Sequence, residues 1–554
     1  MTPLLRDLIG FLNPPMRGDF EAQRHWIALT SSGFNSRFLH AGATNISVPV
    51  RHWYFHDLQY WGLDYPPLTA YHSMLLGLFA RVSRGTAAFT TLRPTLSVSS
   101  SDEDAQWHQQ MSWLESQGGL RHFMKSSVIV SDLIVYVTAV LWYCWLVAIL
   151  TILLQPALIL IDNGHFQFNS VMLGLTLWSV NLLQSGHDLL GSIAFVCAIC
   201  YKQMALYYSP AVCASFFVRD VFRKLIAFFP DLHIYLENAC TEAAETGGSP
   251  AAAAPLRNAL TYHIHRLTLF VKLGAVTLST FAVILSPFLD STASWLQVAR
   301  RVFPFSRGLF EDKVANVWCA LNVIVKLKQI GTISSLARLA LCATAIAVLP
   351  SVLGVLWISN TAGQQQKHSA QMRDAPVAGE EPNIPPTSVL LPHALFLSSM
   401  AFFLFSFQVH EKSILLPLMP LTLLMGGREA GIGRLDWEWG ALINNIGVFR
   451  SASSMWPLLK RDGLAVQYVA LLILWNFAIG YNPLRLRSSF VKVLSLVAYA
   501  SMAIIHAIEY ISDPPAHLPD LFVVANVGLS VSVFGLSFLW ASKRLVQEGW
   551  VVAF

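Results

Sequence analysis

The stretch VLLPHALFLSSMAFFLFSFQVHEKSILLPLMPLTLLM, residues 389–425, is two apolar runs joined by one charged knot, Gln408-Val409-His410-Glu411-Lys412-Ser413. A bilayer core about 30 Å thick takes roughly 17 to 25 apolar residues as a helix, and a charge at that depth is costly unless paired or functional. The run over 389–409 is long enough to span; the one over 414–425 must borrow flanking residues or be a half-helix. Working outward, similar runs recur over 128–150, 151–161, 171–183, 189–204, 207–218, 267–288, 333–358, 464–479, 491–508 and 521–539. The pattern predicts an all-α, polytopic membrane protein.

Composition leads the same way. Of 554 residues, 54% are hydrophobic and 12% charged, where soluble domains carry ~25% charged residues. Mean hydropathy is +0.51, which excludes a water-soluble globule. Lys+Arg 37 against Asp+Glu 32 leaves a formal charge of +5, too small to name a partner; nothing points to nucleic acid. Seven cysteines are too sparse for a disulfide-stapled fold. Cys197 and Cys200 form a CxxC without histidine partners or a second pair at zinc spacing, so they read as packing residues.

Residues 4–12 are interrupted by Arg6 and Asp7 and read as neither a cleaved signal nor a spanning helix. Polar, low-complexity sequence over 94–110, 241–255 and 360–386 is expected to form disordered loops. Arg219, Arg223, Lys224 and Arg266 flank the second loop, and Lys543 with Arg544 follow the last run; positive residues favour the cytoplasmic side. The remaining polar segments then face the opposite side, among them the glycosylation-type triplet Asn45-Ile46-Ser47. The chain divides into residues 1–125, an N-terminal segment and first lumenal loop with interfacial helices, and residues 126–554, the multi-pass part.

Chemistry belongs to the polar segments. Residues 18–73 are rich in aromatics, histidine and acids, as a folded loop at a membrane interface would be. There Asp19 is readable as a helix N-cap or as a catalytic base, with Phe20, Trp26 and Ile27 turned to lipid on an amphipathic helix. Glu21, Arg24, Trp61, Asp64 and Tyr65 are candidate substrate contacts, although Asp64 and Pro66-Pro67 also suit the start of a helix over 68–82. Between two apolar runs, Asn163-Gly164 suits a tight turn with positive φ, which leaves Asp162, His165, Gln167 and Asn169 for a hydroxyl-rich ligand. Residues 301–316 are charged and aromatic, and 315–325 read as a half-buried helix rather than a span.

Five motifs, in order, resemble the endoplasmic-reticulum dolichyl-phosphate-glucose glucosyltransferases, a GT-C family: GDFEAQRHW from Gly18, DLQYWGLDYPPL from Asp57, IDNGHFQFN from Ile161, FSRGLFEDKVANVW from Phe305 and QVHEKSIL from Gln408. AQRH at 22–25 and LQYWGL at 58–63 are closer to the branch that adds the first glucose than to the branch that adds the second.

The resemblance implies a GT-C glycosyltransferase fold in the endoplasmic-reticulum membrane, with the active site lumenal. It implies inverting transfer of glucose from dolichyl phosphate glucose, in α-1,3 linkage, to a terminal mannose of the dolichyl-diphosphate-linked oligosaccharide. It maps the base onto Asp19 and the donor-phosphate histidine onto His410, and leaves other residues only a location; by charge alone, Lys412 and Arg307 are further candidates to stabilise a leaving phosphate. Membrane lipid is the surrounding partner, and no cofactor or metal is expected. Family members also carry a spanning helix before Gly-Asp-Phe-Glu, whereas only short sequence precedes Asp19 here. Two alternatives stay open: the related enzyme acting on the monoglucosylated oligosaccharide, and a polytopic transporter. The latter should hold its ionisable groups near mid-membrane.

Overall fold

The computed structural model describes residues 17–31, 48–58, 61–84, 89, 119–143, 146–164, 166–217, 271–303, 314–371, 386–407, 409–426, 434–454, 465–484 and 489–553. Within them every regular element is helical. A backbone in lipid must satisfy its own hydrogen bonds, and a helix does so within one segment. In chain order the helices are α1 (Arg17–Ser31), α2 (Pro67–Arg84), α3 (Leu120–Tyr143), α4 (Ile149–Gly164), α5 (Asn169–Gln184), α6 (Asp188–Tyr201) and α7 (Ser209–Phe217). There follow α8 (Val271–Phe288), α9 (Thr292–Val302), α10 (Val317–Ile324), α11 (Ile333–Gln371), α12 (Pro386–Phe405) and α13 (Leu415–Gly426). The last are α14 (Arg434–Ser454), α15 (Ala465–Ile479), α16 (Phe490–Ile511) and α17 (Leu521–Ala553). Helices α3, α8, α11, α16 and α17 are long and apolar enough to cross a membrane; α4, α6, α12 and α15 are shorter apolar helices.

Consecutive long helices pack antiparallel, as in α5 with α6 and α11 with α12, so their ends gather at two faces. The 8-residue helix α10 covers about 12 Å at 1.5 Å per residue, too little to span. The Trp318 indole N–H donates to the Phe405 carbonyl at 2.8 Å, so α10 lies at the end of α12. Helices α11 and α12 leave that face and return to it. His410 therefore emerges on the same face as the start of α11, as the half-buried reading of 315–325 requires. At the far face, Arg544 bonds Asp436 at 2.7 and 3.1 Å, and Ser489 donates to Glu438.

Several expectations change. Helix α1 is not laid on lipid by Phe20, Trp26 and Ile27: these are 0%, 4% and 1% exposed, enclosed by protein. Phe20 meets Phe166 with ring centroids 5.0 Å apart, and Trp26 meets Tyr65 at 4.9 Å. Asp19 sits inside the first turn of α1 instead of capping it. Over 128–150 the described residues are helical, as Leu120–Tyr143, the α3 that starts before the run and contains the π-turn Leu133–Val137, and as Leu146–Leu153. The polar start of α3 is tolerated because Lys125 donates to the Asn163 carbonyl at 3.3 Å.

Helix α11 runs on to Gln371, so 360–371 is helix, built from residues such as Gln and Lys that lose little side-chain freedom in one. Residues 4–12, 45–47, 94–110 and 241–255 lie outside the described residues. Helix α14 matches none of the apolar runs, because Asp436, Glu438, Asn444 and Asn445 interrupt it. Neighbouring helices satisfy those groups: Gln155 donates to Asn444 at 3.1 Å, and Asn445 donates to Asn476 and Tyr499.

The π-turn of α3 lets α5 approach closely at Gly174. A Cβ there would stand 2.8 Å from the Tyr136 backbone and 2.9 Å from that of Val135, whereas one at Gly528 would meet nothing. Gly174→Ala is accordingly expected to lower stability by about 1–3 kcal/mol through overpacking. Gly528→Ala should be neutral or slightly stabilising. Thermal melting of both variants in the same detergent checks the contrast.

Candidate active site

Asp19 and Lys412 are separated by 393 positions, and their side chains meet at 2.5 Å. Two local features prepare the pair. Asp19 lies in the first turn of α1, where the exposed amide N–H groups and the helix dipole favour an anion. Lys412 lies on the 3-10 turn Glu411–Ile414 between α12 and α13, and its backbone N–H points at His410 Nδ1, 3.4 Å away. The ammonium side chain is 9% exposed and the carboxylate 26%, so the pair lies at a rim.

A second wall comes from the polar turn between α4 and α5. The end of α4 opens into the π-turn Ile159–Gly164, and Gln167 N–H donates to the Asp162 carbonyl at 3.1 Å. The positive φ expected at Asn163-Gly164 falls instead on Phe166, at 61°, because the wide turn carries Asn163 and Gly164 inside the helix. Asp162 accepts from Asn169 Nδ2 at 2.7 Å and from the Ser170 amide at 2.6 Å. Gln167 Oε1 and Asn169 Oδ1 both accept from Lys202 Nζ, at 2.9 and 2.6 Å. Lys202 was hidden in the sequence: the apolar run over 189–204 passes straight over it, although it is the one charge in that run after Asp188.

The front loop closes the arrangement. Lys202 Nζ lies 4.7 Å from the centre of the Tyr65 ring, close enough for a cation–π contact. The Tyr65 carbonyl accepts from the Tyr54 hydroxyl at 2.6 Å. The Trp26 indole and His25 Nδ1 lie 2.9 and 3.0 Å from the Trp61 carbonyl. That anchor holds Trp61 at a φ of 50°, with 38% of the residue exposed. Gly62 must be glycine, since a Cβ would stand 2.7 Å from the Asp57 carbonyl and 2.8 Å from that of His56. Arg301 of α9 donates to the His56 carbonyl at 2.5 Å, and Gln297 to that of Tyr54 at 3.1 Å.

Electrostatics follow from this packing. Burial, with Arg24 next, lowers His25 to about 4, so its ring is neutral near pH 7. Burial, then Asp64 and Asp19, pushes the Tyr65 phenol well up and keeps it a neutral hydroxyl. Asp19, Asp64 and Asp162 share a neighbourhood with Lys202 and Lys412. Asp64 also faces Arg301 and Tyr54.

Of the residues read from sequence, Asp19, Asp64, Tyr65, Asp162, Gln167, His410 and Lys412 are thus brought to one region, with Trp61 over it. Glu21 and Arg24 instead face each other at 2.6 and 2.7 Å, both 0% exposed. His165 and Arg307 lie outside the described residues. Among the described residues no group of three or more His, Cys, Asp or Glu converges as a metal site. The arrangement offers a half-open carboxylate beside a cation, with aromatic, amide and hydroxyl groups around it. That set suits a polyhydroxylated ligand next to an anion.

The family model for the ALG6, ALG8 glycosyltransferase family matches residues 4–540. Similar curated proteins include the dolichyl pyrophosphate Man9GlcNAc2 alpha-1,3-glucosyltransferase of Saccharomyces cerevisiae, 35% identical over 97% of this chain and 87% of that one. The protein of that name from Gallus gallus is 32% identical over 98% of this chain and 95% of its own. A probable one from Drosophila melanogaster is 30% identical over 97% and 93%.

The buried Glu21–Arg24 pair yields a stability prediction. Arg24→Ala strands a buried carboxylate and is expected to cost about 3–5 kcal/mol. Arg51→Ala breaks a pair with Asp290 whose side chains are 55% and 42% exposed, and should cost under about 1 kcal/mol. Comparing the melting temperatures of the two variants checks this.

Proposed function

The chain belongs to the ALG6, ALG8 glycosyltransferase family, and we propose that it adds glucose in α-1,3 linkage to the mannose-capped oligosaccharide of dolichyl pyrophosphate Man9GlcNAc2. The donor in this reading is dolichyl phosphate glucose, and the reaction runs on the lumenal face of the endoplasmic-reticulum membrane. One observation carries it: the Asp19 carboxylate is 2.5 Å from Lys412, on the turn that holds His410. In this reading the base and the phosphate-binding groups stand side by side, as a single displacement needs.

In that displacement the mannose 3-hydroxyl oxygen forms the new bond to glucose C1 while the bond from C1 to the phosphate oxygen breaks. The hydroxyl proton passes to Asp19, and the bonding electrons leave with dolichyl phosphate. Attack opposite the leaving group turns a β-linked donor into an α-linked product through an oxocarbenium-like transition state. The phosphate leaves as an anion, so it needs positive charge more than a proton; Lys412 supplies it, with Arg307 a further candidate, while His410, whose Nδ1 accepts from the Lys412 amide, offers its Nε2–H as a hydrogen-bond donor. Trp61, Asp64, Tyr65, Asp162, Gln167 and the unplaced His165 are the candidate sugar contacts. Glu21 and Arg24 brace α1 beneath them.

Sidedness supports the reading. Lys543 and Arg544 lie in the C-terminal half of the last helix, towards the face opposite Asp19, and cationic flanks favour the cytoplasm.

Purified protein given dolichyl phosphate glucose and lipid-linked Man9GlcNAc2 is expected to yield product heavier by one hexose, read by mass spectrometry. Asp19→Asn should lower kcat by about 10²–10⁴, the usual worth of a general base, while keeping a cooperative melting transition. Turnover by that variant close to wild type would remove Asp19 from the mechanism.

A further inference from the structure

The transfer chemistry above does not use Lys202. This residue lies just past the end of α6 and is 2% exposed. Its two hydrogen-bond acceptors, Gln167 Oε1 and Asn169 Oδ1, are neutral amide oxygens. A buried ammonium costs several kcal/mol unless opposite charge lies close by, and neutral acceptors do not provide that. The compensating carboxylates come from separate elements: Asp162 of the π-turn, reached through Asn169; Asp19 of α1; and Asp64 of the loop before α2. Lys412, on the turn before α13, is the cation that faces it. Tyr65 and Tyr201, both held as neutral phenols by burial, line the same space.

A charge balance gives Lys202 a role. The Lys412 ammonium pairs with the Asp19 carboxylate. When a phosphate engages Lys412, Asp19 stands beside a second anion, and a like charge favours the protonated carboxyl, which cannot accept a proton. A cation that cannot follow the phosphate offsets this. Lys202 is such a cation, tied by two hydrogen bonds and stacked on Tyr65.

We propose that Lys202 is a positioning residue of the glucosyl transfer: its fixed ammonium keeps Asp19 ionised while the donor phosphate occupies Lys412, and its contacts hold the 162–170 turn and Tyr65 in register around the acceptor. The inference rests on the reading of the site as a dolichyl phosphate glucose-dependent transferase. Burial lowers the Lys202 ammonium to about 8 against the opposing pull of Asp162, so the charge is present at neutral pH and is lost in mild alkali.

The test is the pH dependence of kcat, at saturating donor and acceptor so that the limbs report the donor-bound enzyme, for wild type, Lys202→Met, Lys202→Arg and Asp19→Asn, with the melting temperature of each. Lys202→Met is expected to lower kcat about tenfold or more and to move the acid limb upward by about one pH unit, because Asp19 loses a positive neighbour. Lys202→Arg should retain most of the activity and move the alkaline limb upward, since a guanidinium stays charged. Loss of activity in Lys202→Met that matches loss of folded protein, with unmoved limbs, overturns the proposal in favour of a purely structural lysine. So does a folded Lys202→Met with wild-type kcat. Should Lys202→Met fail to fold, an alkaline limb unmoved in Lys202→Arg overturns it alone. If wild type transfers glucose and Asp19→Asn does not, only the Lys202 inference falls with these results; no transfer by wild type overturns both.

Discussion

An ion withdrawn from water inside an apolar bundle must find its countercharge within the protein, and this constraint arranges both faces of the molecule. Asp19 is matched by Lys412, Glu21 by Arg24, and Lys202 by the acids around it. At the other face Asp436 is matched by Arg544, and Lys492 lies 4.0 Å from Glu438. Glu21–Arg24 lies within α1; each of the other pairings joins elements that the hydrophobic effect alone would leave free to slide. Apolar packing is non-directional, and lipid tails compete for it on equal terms. The polar contacts therefore specify which helix ends meet.

The site face is also where regular helix gives way. Helix α4 ends in a π-turn that presents Asp162, and Phe166 takes a positive φ just beyond it. Trp61 takes another in the front loop, its carbonyl held by His25 and Trp26. Bulky side chains adopt that conformation only where surrounding contacts over-determine it, and such positions concentrate at ligand sites. At Trp61 the constraint turns the backbone inward while part of the residue stays exposed. The short helices α9 and α10 lie at the same face, so the irregular polypeptide gathers where the chemistry does.

Composition and apolar run length determined the helical, membrane-spanning class, because a spanning helix needs only local sequence to satisfy its backbone. Short motifs bearing Asp19, Asp162 and His410 marked the segments that the fold brings to the candidate site, since ionisable groups stand out against apolar surroundings. Helix α14 escaped that reading because its acids and amides are satisfied by partners far away in the chain. Lys202 escaped it because one lysine inside an apolar run looks like a residue at the membrane edge. The placement of α1 was misjudged for the converse reason: an amphipathic pattern reports that one side is apolar, and lipid and protein interior both fit. Tertiary structure alone decided that Asp19 meets Lys412 and that Lys202 lies over Tyr65. These are contacts between segments scores to hundreds of positions apart, and no local periodicity encodes which end of one helix the packing of all the others brings to the end of another.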